Sequence, residues 1–166
     1  MQRKRKTREL AMQVLFLWDT QGSADMEQAR QAVTNVEADD ALRHEAIEMA
    51  RSTWEQRESI DKWIEKHAPQ WPPRRQPGVD RCLLRLAIWE LTNAPTPPKV
   101  VIDEAIELAK EFSTEQSPGF VNGVLDAILK DYQAMTQGPG VRGQGLEKDH
   151  DPGTNVSDSL PLTPDP

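Results

Sequence analysis

A chain of 166 residues with 37% hydrophobic and 28% charged side chains has the size and composition of one soluble globular domain, long enough to bury its own core. The lone cysteine, Cys82, excludes an internal disulfide, no apolar run approaches the roughly 20 residues of a membrane-crossing helix, and no charged-then-apolar leader opens the chain, so the expected setting is cytoplasmic. The formal charge of −7 argues against a nucleic-acid binder only until it is divided by position: Arg3, Lys4, Arg5, Lys6 and Arg8 stand against Glu9, a local +4 that leaves −11 on the remainder.

From Lys4 to about Thr20 no glycine or proline intervenes, and Leu10, Ala11, Val14, Leu17 and Trp18 recur at helical spacing. A first helix turns these to the core and places Arg5, Arg8, Glu9, Met12 and Phe16 on the opposite face, so that an aromatic shares a stripe with arginines. Gly22 breaks the pattern, and Ser23 or Asp25 can cap a second helix through about Val36 that buries Met26, Ala29, Val33 and Val36. Asp39 or Asp40 can cap a third, running to His67 on the apolar series Leu42, Ile47, Ala50, Trp54, Ile60, Trp63 and Ile64. Residues 68–78 carry four prolines and read as a connection, in which Trp71 is a fair candidate for an exposed contact.

Residues 79–91 are apolar on nearly every side, the mark of a central helix enclosed by others, with Arg81, Arg85 and Glu90 expected to ion-pair inside the bundle or at its edge. After a second proline cluster, Val101, Ala105, Leu108 and Phe112 form one face of an amphipathic helix. Ser117 followed by Pro118 is expected to cap a last helix through Val121, Val124, Leu125, Ile128 and Tyr132. The fold class is all-α, about six or seven helices in residues 1–135 without a convincing strand. Residues 136–166 hold five glycines and five prolines and read as a disordered tail.

The chemistry on offer is recognition. Phe16 lies about three turns beyond Arg5 on the same face, where stacking of an unpaired base on the ring is worth roughly 1–3 kcal/mol and neighbouring arginines neutralise phosphate. The competing role for Phe16 is packing against a neighbouring helix. The three histidines are scattered, and His44 with Glu48 one turn away does not make a metal site. Cys82 reads as a small buried hydrophobe, and no phosphate loop, dinucleotide fingerprint or nucleophile elbow is present. Catalytic residues, metal and cofactor are therefore not expected. Asp80, at the start of the central helix, suits the helix dipole or a partner contact.

RKRKTRELAMQVLF resembles the arginine-rich opening of NusB proteins, and VDRCLLRLAIWEL with KVVIDEAIELAKEFSTEQSPGFVNGVLDAIL is similar to that family's second half. The resemblance covers residues 3 to about 132, most specifically FVNGVLD after an E-A-I-E-L-A-K helix. It implies two roughly perpendicular three-helix subdomains. It also implies boxA-type RNA as ligand, pairing with the small-subunit ribosomal protein that doubles as NusE, and support of processive transcription of ribosomal RNA operons by the elongation complex. Carried over by position, Arg3, Lys4, Arg5, Lys6, Arg8 and Gln13 would meet RNA and Phe16 would stack. Gln116, Phe120 and Asn122 would complete the surface, and Asp80 falls where the ribosomal protein is contacted. Relatives can carry an acidic residue at Gln116 and a lysine at Gly119, which weakens the side-chain contacts of that loop, although a helix N-terminus there still offers N–H groups to phosphate. A homodimer is left open. Two other readings are the RNA-binding domain of ribosomal RNA methyltransferases, whose chains continue into a cofactor domain, and a helical protein-interaction module indifferent to RNA.

Overall fold

The computed structural model of the protein describes residues 2–136, and the expectation of a disordered tail falls, but for Thr136, outside the described residues. The opening helix α1 spans Gln2–Gln21 and ends where Gly22 takes a φ of 82°, a left-handed conformation that a side chain would oppose. Of the two candidate caps for α2 (Met26–Thr34), Asp25 is the one used, accepting from the Gln28 backbone N–H. Asp39 does the same for α3 (Asp40–Glu55), accepting from Leu42 N–H at 2.7 Å.

The single long third helix expected to reach His67 is two helices. It stops at Gln56 and resumes as α4 (Arg57–His67). An apolar series continuing from Ala50 and Trp54 needs a hydrophobic residue at 57 or 58; Arg57 and Glu58 stand there, and the series restarts out of phase at Ile60. Arg57 serves the break instead, its guanidinium 3.9 Å from the Trp54 ring centroid and donating to the Trp54 carbonyl.

The proline-rich connection contains one 3₁₀ turn, Pro73–Arg75, and leads into α5 (Gly78–Asn93), then α6 (Pro98–Phe112), with proline in its first turn, and α7 (Ser117–Thr136). Ser117 lies inside the first turn of α7, and its hydroxyl turns to Asp80. The described residues thus form seven α-helices and no strand. Helices α1, α2 and α3 pack as one group and α5, α6 and α7 as another, joined chiefly where α1 crosses α5, with α4 against α5 and α7.

As expected for an enclosed element, α5 is buried along nearly its whole length. Trp18 is fully buried, edge-on to Trp54, and its indole N–H donates to the Asp25 carbonyl, so the ring is packed without an orphaned donor. Cys82 is fully buried and its thiol is pushed up to about 12, first by burial and then by the Asp19 carboxylate, which leaves it unreactive at neutral pH. No helix among the described residues is long and apolar enough to cross a membrane.

Candidate nucleic-acid interface

The outward stripe of α1 is narrower and less positive than its sequence suggests. Arg3, Lys4, Arg5, Gln13 and Phe16 are exposed and Lys6 is half-buried, but Met12, expected on this face, is buried. Most of the cations are answered by acids from other helices. Arg3 meets Asp39 at 3.0 Å, Lys4 meets Glu45 at 2.9 Å, and Arg5 grips Glu104 of α6 through two 2.9 Å hydrogen bonds. Those bonds, followed by the Arg5 charge, hold the Glu104 carboxyl below its usual range against the opposing effect of burial. Among the described residues Lys6 makes no ion pair.

Arg8 departs from the expectation altogether. It sits at the edge of the stripe, turned in between α1 and α5, with 5% of its surface exposed, and its guanidinium binds Glu90 bidentately at 2.9 and 2.7 Å. Thr96 donates a further hydrogen bond to the same carboxylate. Burial would weaken the charge on Arg8, but the Glu90 hydrogen bonds and carboxylate outweigh it and raise the guanidinium above its ordinary value. Arg8 is therefore a link between helices and is not presented to a phosphate.

Phe16 combines the two roles weighed for it. The ring is 42% exposed, yet it rests on the first residue of α5, so close that a Cβ on Gly78 would stand 2.7 Å from Phe16 Cε1. Glycine is needed there for this approach and not for an unusual φ. Beneath, Arg81 donates to Asp19 and to the carbonyls of Pro73 and Gln76, while Arg85 bridges Asp19 and Asp61. This is the pairing expected of the two arginines, and it ties α1, α4, α5 and the 3₁₀ turn together.

Asp80 is also placed differently from a partner contact. It is 3% exposed and accepts from the hydroxyls of Ser113 and Ser117, so it fixes the loop between α6 and α7 from inside. Gln116 of that loop and the half-buried Phe120 in the first turn of α7 line a pocket of about 380 Å³, with Asn122 exposed two residues on. The stripe and the loop meet through Pro77 and Gly78: Pro77 lines the pocket and Gly78 carries Phe16. Sequence reasoning missed Glu104, Asp19 and Asp61, and the partner of Glu90, because the positions that packing brings together carry no local signal. The one weak hint is that acids at 90 and 104 interrupt otherwise apolar helix faces. Among the described residues no cluster of three or more histidines, cysteines or carboxylates could hold a metal, and Glu48 beside His44 is engaged by Arg51.

An all-helical domain of two helix groups, with a cationic and aromatic opening helix laid across the central one, is a class of protein built to present a surface. The model of the NusB family matches residues 5–130. The transcription antitermination protein NusB of Solibacter usitatus (strain Ellin6076) is 39% identical over 130 residues, covering 77% of this chain and 89% of the relative. That of Salinibacter ruber (strain DSM 13855 / M31) is 44% identical, covering 79% and 83%. A chain in the crystal structure of antitermination factors NusB and NusE in complex with dsRNA superposes with a TM-score of 0.69 at 32% identity, covering 80% of this chain and 99% of that one. The chain belongs to the NusB family.

Proposed function

We propose that this protein is a cytoplasmic, non-enzymatic transcription antitermination factor that binds boxA-type RNA together with the ribosomal protein NusE and supports processive transcription of ribosomal RNA operons. Family membership supports the reading, as does the similarity to a chain solved with NusE and dsRNA. The observation that carries it is the half-exposed Phe16 ring in line with Arg5, Gln13 and Lys6, the last without an ion pair among the described residues, on the outer face of α1.

The ion pairs of Arg3, Lys4 and Arg5 fit this role. The pairs of Arg3 and Lys4 are exposed at both ends and weak, so phosphate can take the place of a carboxylate there at little cost, while Arg5, half-exposed, keeps the buried Glu104 carboxylate as its anchor. Phe16 supplies the stacking surface, and Arg8 contributes only by fixing α1 on α5. Gln116, Phe120 and Asn122 extend the surface onto α7.

Titration of the Arg5→Ala/Lys6→Ala variant with boxA RNA at several salt concentrations is expected to give weaker binding, with the slope of log K against log salt reduced by about 0.7 per lost phosphate contact. Phe16→Ala is expected to cost roughly 1–3 kcal/mol of RNA affinity with unchanged helical circular dichroism. Gly78→Ala, which forces the ring off its seat, should lower affinity in the same direction while keeping the ring itself. Unchanged binding in all three variants would remove α1 from the RNA surface.

A further inference from the structure

Glu104 is an acid set beside a surface that has to attract phosphate. It faces Arg5, the arginine in line with Phe16, and its side chain is 7% exposed against 52% for the arginine. Glu104 sits in the middle of α6, where Val101, Ala105 and Leu108 are buried around it, so the carboxylate is the fixed partner of the two.

The geometry divides the guanidinium. Arg5 Nε and Nη2 donate to the two carboxylate oxygens at 2.9 Å each, which occupies the side of the group. Nη1 makes no hydrogen bond among the described residues, and with the second N–H of Nη2 it leaves a parallel pair of donors at the tip of a half-exposed side chain. An arginine held in this way gives up its rotamer freedom when the chain folds, whereas an unrestrained one gives it up on binding. Glu107 and Glu111 also act on Arg5 through space, but neither is hydrogen-bonded to it. The three acids therefore differ in what they do to the arginine: one orients it, and two only offset its charge.

We propose that Glu104 is a positioning residue for RNA, holding Arg5 by the side of its guanidinium so that the donor pair at the tip is already aimed at oxygens of the phosphate backbone. The inference rests on the RNA-binding reading above. Its sign is opposite to that of charge alone: neutralising an acid beside a polyanion site should strengthen binding, whereas neutralising this one weakens it.

The test measures affinity of the full chain for boxA RNA over a salt series, at a temperature where circular dichroism shows the variants folded. Glu104→Gln, which can accept only one of the two bonds, is expected to lose roughly twofold to tenfold. The slope of log K against log salt should not change, because Arg5 keeps its charge. Glu111→Gln, the exposed acid on the same helix, should bind as tightly as wild type or tighter. In an Arg5→Ala background Glu104→Gln should no longer lower affinity. Arg5→Lys keeps the charge without the fork and should lose affinity to a similar degree, which decides the matter even where Glu104→Gln lowers the folded fraction. Unchanged or tighter binding by folded Glu104→Gln would make Glu104 a competitor of phosphate for Arg5 and overturn the proposal. So would a loss that persists undiminished in the Arg5→Ala background, an equal loss in Glu111→Gln, or wild-type affinity in Arg5→Lys. Each of these, seen in a chain that binds boxA RNA, leaves the RNA reading standing; absence of binding by the wild-type chain, with or without NusE, overturns both.

Discussion

Glu90→Ala is expected to destabilise the fold by about 3–5 kcal/mol, a large share of the roughly 5–15 kcal/mol that holds a domain together. The Arg8 and Glu90 side chains are 6% and 3% exposed, and removing the carboxylate strands a guanidinium between α1 and α5 with no water to solvate it. Thr96 loses its acceptor as well. Arg8→Ala should be costly in the same way, since it leaves Glu90 charged and buried. The double replacement Arg8→Met/Glu90→Leu removes both charges and keeps volume, and should lie much closer to wild type than the sum of the single losses. Urea titration of wild type, Arg8→Met, Glu90→Leu and the double variant gives the coupling directly; additive single effects would mean that the pair is not the link described here. The same experiment separates folding from recognition. RNA affinity of Arg8→Ala should follow its folded fraction, whereas that of Arg5→Ala/Lys6→Ala should fall further than its folded fraction, which loss of the buried Glu104's partner lowers on its own.

Arg8 also shows where the sequence stops being legible. Helix positions can be read because the spacing that makes an apolar face is local: Leu10, Val14 and Trp18 declare α1 without reference to anything else. Even the break at Gln56 leaves a local trace, in the charged residues at 57 and 58 where the apolar series should continue. Charge pairing leaves none. Arg8 borders both faces of α1, and what draws it inward is Glu90, 82 positions away, brought there only by the packing of α1 on α5. The pairing of Arg81 and Arg85 can be anticipated, because charge on an enclosed helix must be met, yet the identity of Asp19 and Asp61 cannot. At the surface the aromatic stripe is visible from spacing. That Phe16 sits on Gly78, and that Trp71, Gln76 and Phe120 face one pocket, depends on how the connection before α5 lies against the start of α7.

Asp19 carries the second large effect, and its sign with pH follows from its surroundings. Burial pushes the carboxyl up, but hydrogen bonds and charge from Arg81, then Arg85, outweigh it and hold the group below its ordinary range. A carboxyl whose folded value is depressed stabilises the fold fully above the unfolded value, about 3.9, and the contribution is lost as pH falls from there through the folded value. Asp19→Asn keeps one acceptor for Arg81 or Arg85 and removes the charge. At neutral pH it should cost about 2–3 kcal/mol, between the worth of a charged hydrogen bond and that of a fully buried pair, because the Asp19 side chain is 16% exposed and Arg85 retains Asp61. Thermal unfolding of both proteins at a series of pH values should show a constant gap from neutrality down to about pH 4, closing below it as wild-type Asp19 takes up its proton. A gap that persisted undiminished into strong acid would assign the loss to packing, and Asp19 would then act by shape instead of charge in joining α1 to the central helix.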